Sequence, residues 1–313
     1  MFSSRSAHVR GMEIGGKAPV RIQTMYDRPF GVESVDEILR RIASLSSMGC
    51  DLIRFSFASK NDAPFFSEIA SRSPIPVVAD IHFDYRMAIL AIESGADKIR
   101  INPGNIGAEW KTREIVKAAL DHGTAIRIGL NSGSLPSGEG SIPSRMVSSA
   151  LGYIDLFESM GFDNTVVSLK SSDGDETAEA ARLFAGESGY PQHIGVTEAG
   201  DSVISAVRST WALGRLLSSG IGDTIRISMT GLIEDEVAAA AELLRVTGLS
   251  EKGVRIVSCP RCGRHTFDTM GFLRENRGRL LALDKNITVA IMGCLVNGPG
   301  EAGYADYAIT GYG

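Results

Sequence analysis

Three cysteines near the end of the chain carry the clearest chemical signal in the sequence. Cys259 and Cys262 form a C-x-x-C pair, and Cys294 follows a later apolar run. Thiolates at this spacing converge on one metal centre, and a [4Fe–4S] cluster normally takes four of them. The three cysteines indicate an iron–sulfur site in which one iron binds a carboxylate, a water or the substrate instead of a thiolate.

Other readings of the same cysteines stay open at this point. His265 lies three residues beyond Cys262 and could complete a Cys3His zinc site. A lone C-x-x-C could also be a thioredoxin-type redox pair, although that motif needs no distant third cysteine. Beyond Cys294, the glycine-rich residues 297–300 precede Glu301 and allow the tight backbone that a cluster requires. Spacing alone does not exclude zinc.

Basic side chains form a second pattern, because they recur where short apolar runs end. Five of eight such runs end in a cation, although the net charge of the chain is −5: Arg54, Arg100, Arg127, Lys170 and Arg226. Some could form structural salt bridges with acids such as Asp80 or Glu198. Guanidinium groups bind phosphates through paired hydrogen bonds, and lysine adds a point charge. Convergence of all five predicts a substrate with two phosphates.

Polar residues accompany these cations. Asp80, His82 and Glu198 are candidates for proton transfer. The remaining candidates for substrate binding are Asn102, Asn131, Ser134 and Ser228, and Ser168 also lies at one of these strand ends. Two of the loops that carry them are rich in glycine and can add backbone N–H groups to an anion site. We interpret His193 as a satisfied core histidine and Cys50 as a buried apolar residue.

The elements that must position these residues alternate regularly along the chain. Apolar, β-branched runs occur at 20–25, 51–55, 75–80, 98–101, 125–129, 165–169, 192–196 and 224–228. Helical periodicity follows at 35–48, 146–160, 178–187, 202–217 and 234–246. An open doubly wound sheet also alternates, but eight units in about 250 residues favour a closed (β/α)8 TIM-type barrel.

The last part of the chain has another pattern. Strand-like runs at 254–257, 288–292 and 305–310 flank one helical stretch at 266–283. About sixty residues cannot repeat the barrel unit twice, so they predict a small α/β domain pinned by its metal site. We therefore expect a barrel over 1–249 and an iron–sulfur domain over 250–313.

Composition limits the function classes. Hydrophobic residues make up 43% of the chain and charged residues 22%, which predicts a large core. With a net charge of −5, nothing suggests a nucleic-acid partner or a membrane surface. Residues 1–17 lack the apolar stretch of a signal peptide. We expect a cytoplasmic protein.

The motifs, taken together, resemble the 4-hydroxy-3-methylbut-2-enyl diphosphate synthase family of the non-mevalonate isoprenoid pathway. The resemblance runs in order over nearly the whole chain. It rests on the segments 79–84 (ADIHFD), 100–105 (RINPGN), 126–129 (IRIG), 131–135 (NSGSL), 195–200 (GVTEAG), 220–226 (GIGDTIR), 258–264 (SCPRCGR) and 292–302 (MGCLVNGPGEA).

The resemblance implies more than the residues do alone. The family reductively opens methylerythritol cyclodiphosphate to a linear allylic diphosphate, consuming two electrons from flavodoxin or ferredoxin. Its cluster has a glutamate on the unique iron, which here matches Glu301. The two-domain form is similar to head-to-tail homodimers, in which the cluster domain of one subunit covers the barrel of the other. Two departures are the loop at 26–29 (YDRP) and the end of the chain at Gly313, where relatives continue.

Overall fold

A computed structural model describes residues 4–135, 138–260, 262–294 and 298–310, excluding the side chains of Pro299 and Glu301. Two short strands, β1 (Ser6–Val9) and β2 (Met12–Gly15), come first. No helix in the described ranges is long and apolar enough to cross a membrane.

Eight parallel strands and the helices between them form the main body. The strands are β3 (Arg21–Met25), β4 (Leu52–Ser56), β5 (Val77–Asp80), β6 (Lys98–Ile101), β7 (Ala125–Asn131), β8 (Thr165–Lys170), β9 (His193–Ile194) and β10 (Thr224–Ile225). The helices are α1 (Val35–Ser47), α2 (Ala63–Arg72), α3 (Tyr85–Glu93), α4 (Pro103–Ile106), α5 (Glu109–His122), α6 (Ile142–Ser159), α7 (Gly174–Glu187), α8 (Ser202–Leu217) and α9 (Ile233–Val246).

The sheet order confirms the predicted barrel. It runs β8-β7-β6-β5-β4-β3-β10-β9, and a parallel bridge between Val167 and Gln192 joins the two ends. Strands β9 and β10 have two residues each, fewer than the sequence runs suggest. Apolar residues that alternate with the inward-facing ones pack under the helices; examples are Ile53, Ile99 and Ile126.

A hairpin closes the floor of the barrel, and sequence reasoning did not predict it. Strands β1 and β2 pair antiparallel, and their apolar residues Ala7, Val9 and Ile14 are fully buried. They form one cluster with inward-facing residues near the strand starts, which are Leu52, Val78, Ala125 and Val166. The bottom of the barrel is therefore apolar and sealed, and its polar interior lies toward the other end.

The rest of the described chain forms a second, smaller sheet. Strands β11 (Val254–Ser258), β12 (Ile287–Met292) and β13 (Tyr307–Thr310) are parallel, in that order, with helix α10 (Thr269–Leu281) between the first two and α11 (Gly298–Glu301) before the last. This arrangement confirms the predicted α/β class. Helix α10 contacts the barrel through Leu281, and Arg277 forms an ion pair of 2.6 Å with Asp235 of α9.

Replacing Val9 with alanine tests the hairpin floor. Val9 is 0% exposed, so losing its two methyl groups leaves a cavity and should lower the free energy of unfolding by about 2–3 kcal/mol. Val32→Ala is the matched control, because Val32 is 66% exposed and should change stability by less than about 0.5 kcal/mol. Chemical denaturation measures both; equal effects would argue against a floor built by this hairpin.

Candidate functional site

The candidate site begins with three charged residues that lie side by side on neighbouring strands. Asp80 of β5 pairs in register with Arg100 of β6, which pairs with Arg127 of β7. Residues in register point to the same face of a sheet, and here that face is the barrel interior, since the residues that alternate with them, such as Ile99 and Ile126, pack under the helices. The strands thus bring these predicted site residues together at the barrel mouth.

Asp80 is the anchor of this group. One carboxylate oxygen is 3.3 Å from Nη1 of Arg100, and the other is 3.8 Å from Nε of Arg54. Burial by itself would raise the pKa of Asp80, but Arg54, Arg100 and Arg127 together hold it below its ordinary value. Asp80 therefore stays ionised and is a poor proton donor, which weakens one of its two predicted roles.

The buried charges do not balance. Among the described residues the buried carboxylates are Asp80 and Glu236, whereas the buried basic residues are Arg54, Lys98, Arg100, Arg127 and Lys170. Arg127 is 1% exposed, and its Nε and Nη1 have no hydrogen-bond partner within the described ranges. The pKa of Lys170 lies well below its ordinary value, mainly because of burial and next because of the positive charge of Arg127. Unpaired buried cations are costly, so this interior is arranged to receive an anion.

Arg226 has a partner that sequence reasoning missed. Its guanidinium donates to both carboxylate oxygens of Glu236, at 3.1 and 3.0 Å, and Thr24 donates to the same carboxylate at 2.6 Å. Glu236 lies on the buried face of α9 with Ile233 and Val237. An acid at a core-facing position of an amphipathic helix was the signal that could have revealed it.

Two glycines make room for the cations. A Cβ on Gly129 would lie 2.3 Å from Nε of Arg100, and a Cβ on Gly195 would lie 2.7 Å from Nζ of Lys170. Arg100 also donates to the carbonyl oxygen of Gly129 at 3.2 Å. The side chains can occupy the barrel mouth only because these positions carry no side chain.

The loops after β6 and β7 are tied to each other. Asn102 donates from Nδ2 to Oγ of Ser134 at 2.8 Å and accepts from the N–H of Gly104 at 3.2 Å. Ser134 in turn donates to the carbonyl oxygen of Asn131 at 3.0 Å. These predicted site residues are brought together, and much of their hydrogen-bonding capacity serves the loop structure.

Other predicted residues lie around the same mouth. Ser168 is buried on β8, and Ser228 is half-buried, with its carbonyl oxygen bonded to Ser205 at 2.7 Å. His82 is exposed, with Nε2 4.0 Å from Oδ2 of Asp80, which is too long for a hydrogen bond. Its ring is therefore available to a ligand.

Glu198 is the exposed carboxylate of the site. It follows β9 and has a φ of +53°, a left-handed conformation that is uncommon for a residue with a side chain. Such strain persists where surrounding structure enforces it, often at functional positions. Glu198 lines an open cleft of about 510 Å3 with Arg208, Trp211 and Asp173.

The atypical loop at residues 26–29 has a structural explanation. Arg41 of α1 donates to Asp27 at 2.7 Å and to Glu234 of α9 at 2.8 Å, and its guanidinium lies over the ring of Tyr26. Tyr26 itself stacks on Phe55 with ring centroids 5.0 Å apart. The loop is therefore fixed between α1 and α9 at the rim of the barrel.

The cysteine site lies where the strands of the small sheet end. Cys259 follows β11 and Cys294 follows the neighbouring strand β12. Both line a cavity of about 280 Å3 with Gly293 and Gly298, and the N–H of Gly293 donates to Sγ of Cys259 at 3.0 Å. A backbone N–H on sulfur stabilises a thiolate, so these two residues fit a metal centre with soft ligands.

The other predicted ligands are not gathered in the same way. Cys262 is exposed, and no three His, Cys, Asp or Glu side chains in the described ranges stand ready to hold a metal ion. Nδ1 of His265 is 2.7 Å from the carbonyl oxygen of Cys262. The side chain of Glu301 lies outside the described residues. Cys50 is buried as predicted, and burial raises the pKa of its thiol to about 12.

Gly129→Ala tests the anion site. The added Cβ should displace Arg100 and weaken binding of inorganic pyrophosphate at least about tenfold, equivalent to 1.4 kcal/mol. Gly133→Ala is the control, since a Cβ there would meet no atom within 4 Å. Calorimetric titration measures both, and equal dissociation constants would contradict the proposed close approach.

Curated relatives are similar to this chain over nearly its whole length. A synthase called 4-hydroxy-3-methylbut-2-en-1-yl diphosphate synthase (flavodoxin) from Treponema pallidum is 44% identical over 97% of this chain and 79% of its own length. A synthase of the same name from Thermodesulfovibrio yellowstonii is 44% identical over 98% of this chain and 89% of its own.

Solved structures show the fold alone. Dihydropteroate synthase from Yersinia pestis superposes with a TM-score of 0.55 at 14% identity, covering 79% of this chain and 98% of its own. The Xanthomonas albilineans enzyme gives 0.53 at 15% identity, covering 78% and 97%.

Family models cover both parts of the chain. The GcpE TIM-barrel domain matches residues 4–241, and the GcpE protein C-terminal domain matches residues 255–313. The first match covers the barrel, which carries the cationic mouth, and the second covers the small sheet, which carries the three cysteines. The chain belongs to the GcpE family.

Proposed function

We propose that this protein catalyses the reductive ring opening of 2-C-methyl-D-erythritol 2,4-cyclodiphosphate to 4-hydroxy-3-methylbut-2-enyl diphosphate. The observation that carries the proposal is the excess of buried basic residues at the barrel mouth of an acidic chain, with Nε and Nη1 of Arg127 lacking a hydrogen-bond partner among the described residues. A cyclic diphosphate supplies two negative charges in a compact shape. The relatives' printed names point to the same reaction.

The barrel residues would bind the substrate. Arg127 has free donors, whereas Arg54 and Arg100 share Asp80, and Arg226 is held by Glu236. We expect Arg127 and Lys170 to make the strongest contacts with the diphosphate, with the other arginines completing the positive field. Around them we assign supporting polar contacts to Asn102, Asn131, Ser134 and Ser228.

The reaction needs protons as well as electrons. Two electrons open the carbon–oxygen bond to the ring phosphate, and a hydroxyl group leaves as water, which requires a proton donor near that hydroxyl. We assign this role to Glu198 because it is exposed, with His82 as a second polar group at the mouth. Asp80 would act by orienting Arg54 and Arg100 rather than by donating a proton.

We propose that Cys259, Cys262, Cys294 and Glu301 hold a [4Fe–4S] cluster. When bound, the cluster supplies low-potential electrons one at a time. The N–H of Gly293 on Cys259 supports thiolate ligation. Flavodoxin is the electron donor in the relatives' printed names, and we expect flavodoxin or ferredoxin to serve this chain. Cluster thiolates fit the reducing cytoplasm, where we place the enzyme.

We also propose a head-to-tail homodimer. Val203, Val207 and Trp211 are all exposed and follow each other at four-residue steps on one face of α8. This helix begins directly after the loop of Glu198, so the apolar stripe starts at the barrel mouth. A second copy would bury the stripe and bring its own cysteine domain over the mouth.

Cys294→Ser tests the assigned activity. A serine oxygen is a poor ligand for iron, so the anaerobically purified variant should lose cyclodiphosphate turnover with reduced flavodoxin by at least about 100-fold. Cys50→Ser should keep the activity, since Cys50 lies in the core of the barrel wall, next to a different sheet from the other cysteines, and its thiol donates to the carbonyl oxygen of Leu52. Unchanged turnover in Cys294→Ser would refute the assignment.

Metal analysis of the same preparations separates the rival functions. Iron and acid-labile sulfide in equal amounts fit a cluster, whereas zinc without sulfide would favour a pterin-handling barrel with a structural zinc domain. A redox sensor would contain the cluster but would not turn over the cyclodiphosphate.

Val207→Glu tests the dimer. A charge in the middle of the apolar stripe should convert the dimer into monomers in sedimentation velocity and lower turnover, because the partner's cysteine domain is lost from the mouth. Val246→Glu is the matched control: Val246 is 65% exposed on α9, compared with 67% for Val207 on α8. A dimeric Val207→Glu protein would exclude α8 as the interface.

A further inference from the structure

Beneath the cations of the mouth lies a second set of inward-facing polar residues, which we call the inner layer. It consists of Gln23, Lys98, His193 and Thr224. Lys98 precedes Arg100 by two residues and Thr224 precedes Arg226 by two, so each lies one step deeper on the same face of its strand. The four residues are all buried, and they come from β3, β6, β9 and β10.

Hydrogen bonding in the inner layer is incomplete. Nδ1 of His193 is 2.7 Å from Oγ1 of Thr224, but Nε2 of His193 has no partner among the described residues. The same holds for both ends of the Gln23 amide and for Nζ of Lys98. The prediction of a satisfied core histidine is thus half right. Buried polar groups that the protein leaves unpaired point to a role that packing does not explain.

Lys98 is the most unusual member, because it is a 0% exposed amine surrounded by positive charge. Lys98 is in register with Ala125 of β7, one inward-facing step before Arg127. The charges of Arg127 and of Arg54 from β4 act on it, and His193 of β9 feels both Lys98 and Lys170 of β8. Its neighbour Asp97 already bonds Arg10 and the N–H of Val77. The pKa of Lys98 lies well below its ordinary value. Burial is the largest cause, followed by the positive charges of Arg127 and Arg54.

We propose that Lys98 is an uncharged amine in the empty barrel and takes up a proton from solvent when the cyclic diphosphate binds above it. The inference rests on the proposed substrate. The bound dianion would offset the field of Arg127 and Arg54, which otherwise opposes an ammonium at this depth. Binding and protonation of the amine then favour each other, because linkage is reciprocal. Lys98 acts through Arg127 and is a positioning residue, not a catalytic one.

The charge of the cyclodiphosphate stays constant near neutral pH. Each phosphorus of the cyclodiphosphate carries one strongly acidic O–H, so the ligand is a dianion throughout the range from about pH 7 to 9. Any proton exchanged on binding in that range therefore belongs to the protein.

Calorimetric titration of the anaerobic holoenzyme with cyclodiphosphate tests the proposal. Repeating it at pH 8 in buffers of different ionisation enthalpy gives the number of protons taken up, which we expect to be about half to one for the native protein. Lys98→Met should take up clearly fewer protons than the native protein, and any uptake that remains belongs to other basic groups of lowered pKa at the mouth, such as Lys170. Lys117→Met, on the exposed face of α5, should leave it unchanged.

The outcomes separate the two proposals. Binding without proton uptake, or equal uptake in the native protein and Lys98→Met, overturns the role of Lys98 and leaves the substrate in place. Absence of binding removes the proposed substrate and the inference with it. If Lys98→Met fails to fold, Lys98→Gln replaces it in the proton count with the same expectation. A dissociation constant of the native protein that does not rise with pH also overturns the proposal.

Discussion

The carboxylate of Asp80 lies between the guanidinium groups of Arg54 and Arg100, and the barrel mouth is arranged around this contact. One carboxylate can orient two arginines, but it cannot neutralise the further cations behind them. Removing it would leave several buried charges without a partner, which is among the costliest changes a folded protein can suffer. The buried basic residues at the mouth thus outnumber the buried carboxylates, and the positive charge that is not neutralised can attract an anion.

Such a mouth is affordable because stability is supplied elsewhere. The hairpin of β1 and β2 seals the opposite end with apolar side chains, and the helices cover the outer faces of the strands. Tight apolar packing at the floor supplies stability. The other end of the barrel can therefore hold unpaired cations, the strained backbone of Glu198 and the side chains that pack closely against Gly129 and Gly195. Burial of apolar area is the dominant stabilising term, so the floor and wall offset the cost of the mouth.

The sequence predicted those features whose position in the fold follows from a pattern of neighbouring residues. Alternation of apolar runs and helical periods predicted the barrel, and a cation at a strand end predicted a residue at its mouth. The sequence did not predict contacts between residues that lie far apart along the chain or on different elements. Glu236 meets Arg226 only through tertiary packing, and β1 and β2 are too short to be distinctive until they cover the amino-terminal ends of the barrel strands. The depth of Arg127 and Lys98 also depends on barrel closure, which no local pattern measures.

Both candidate half-sites follow one structural rule. In the barrel and in the small sheet, the functional residues lie on parallel strands or just beyond their carboxyl ends, where side chains from neighbouring strands converge. Within one chain, the small sheet is attached through α10 to α9, as the pair of Arg277 with Asp235 shows. Electron transfer to a substrate in the barrel requires the two half-sites to face each other. In the proposed homodimer, the exposed apolar stripe on α8 is the surface on which a second copy docks, so that its cysteine domain reaches the mouth.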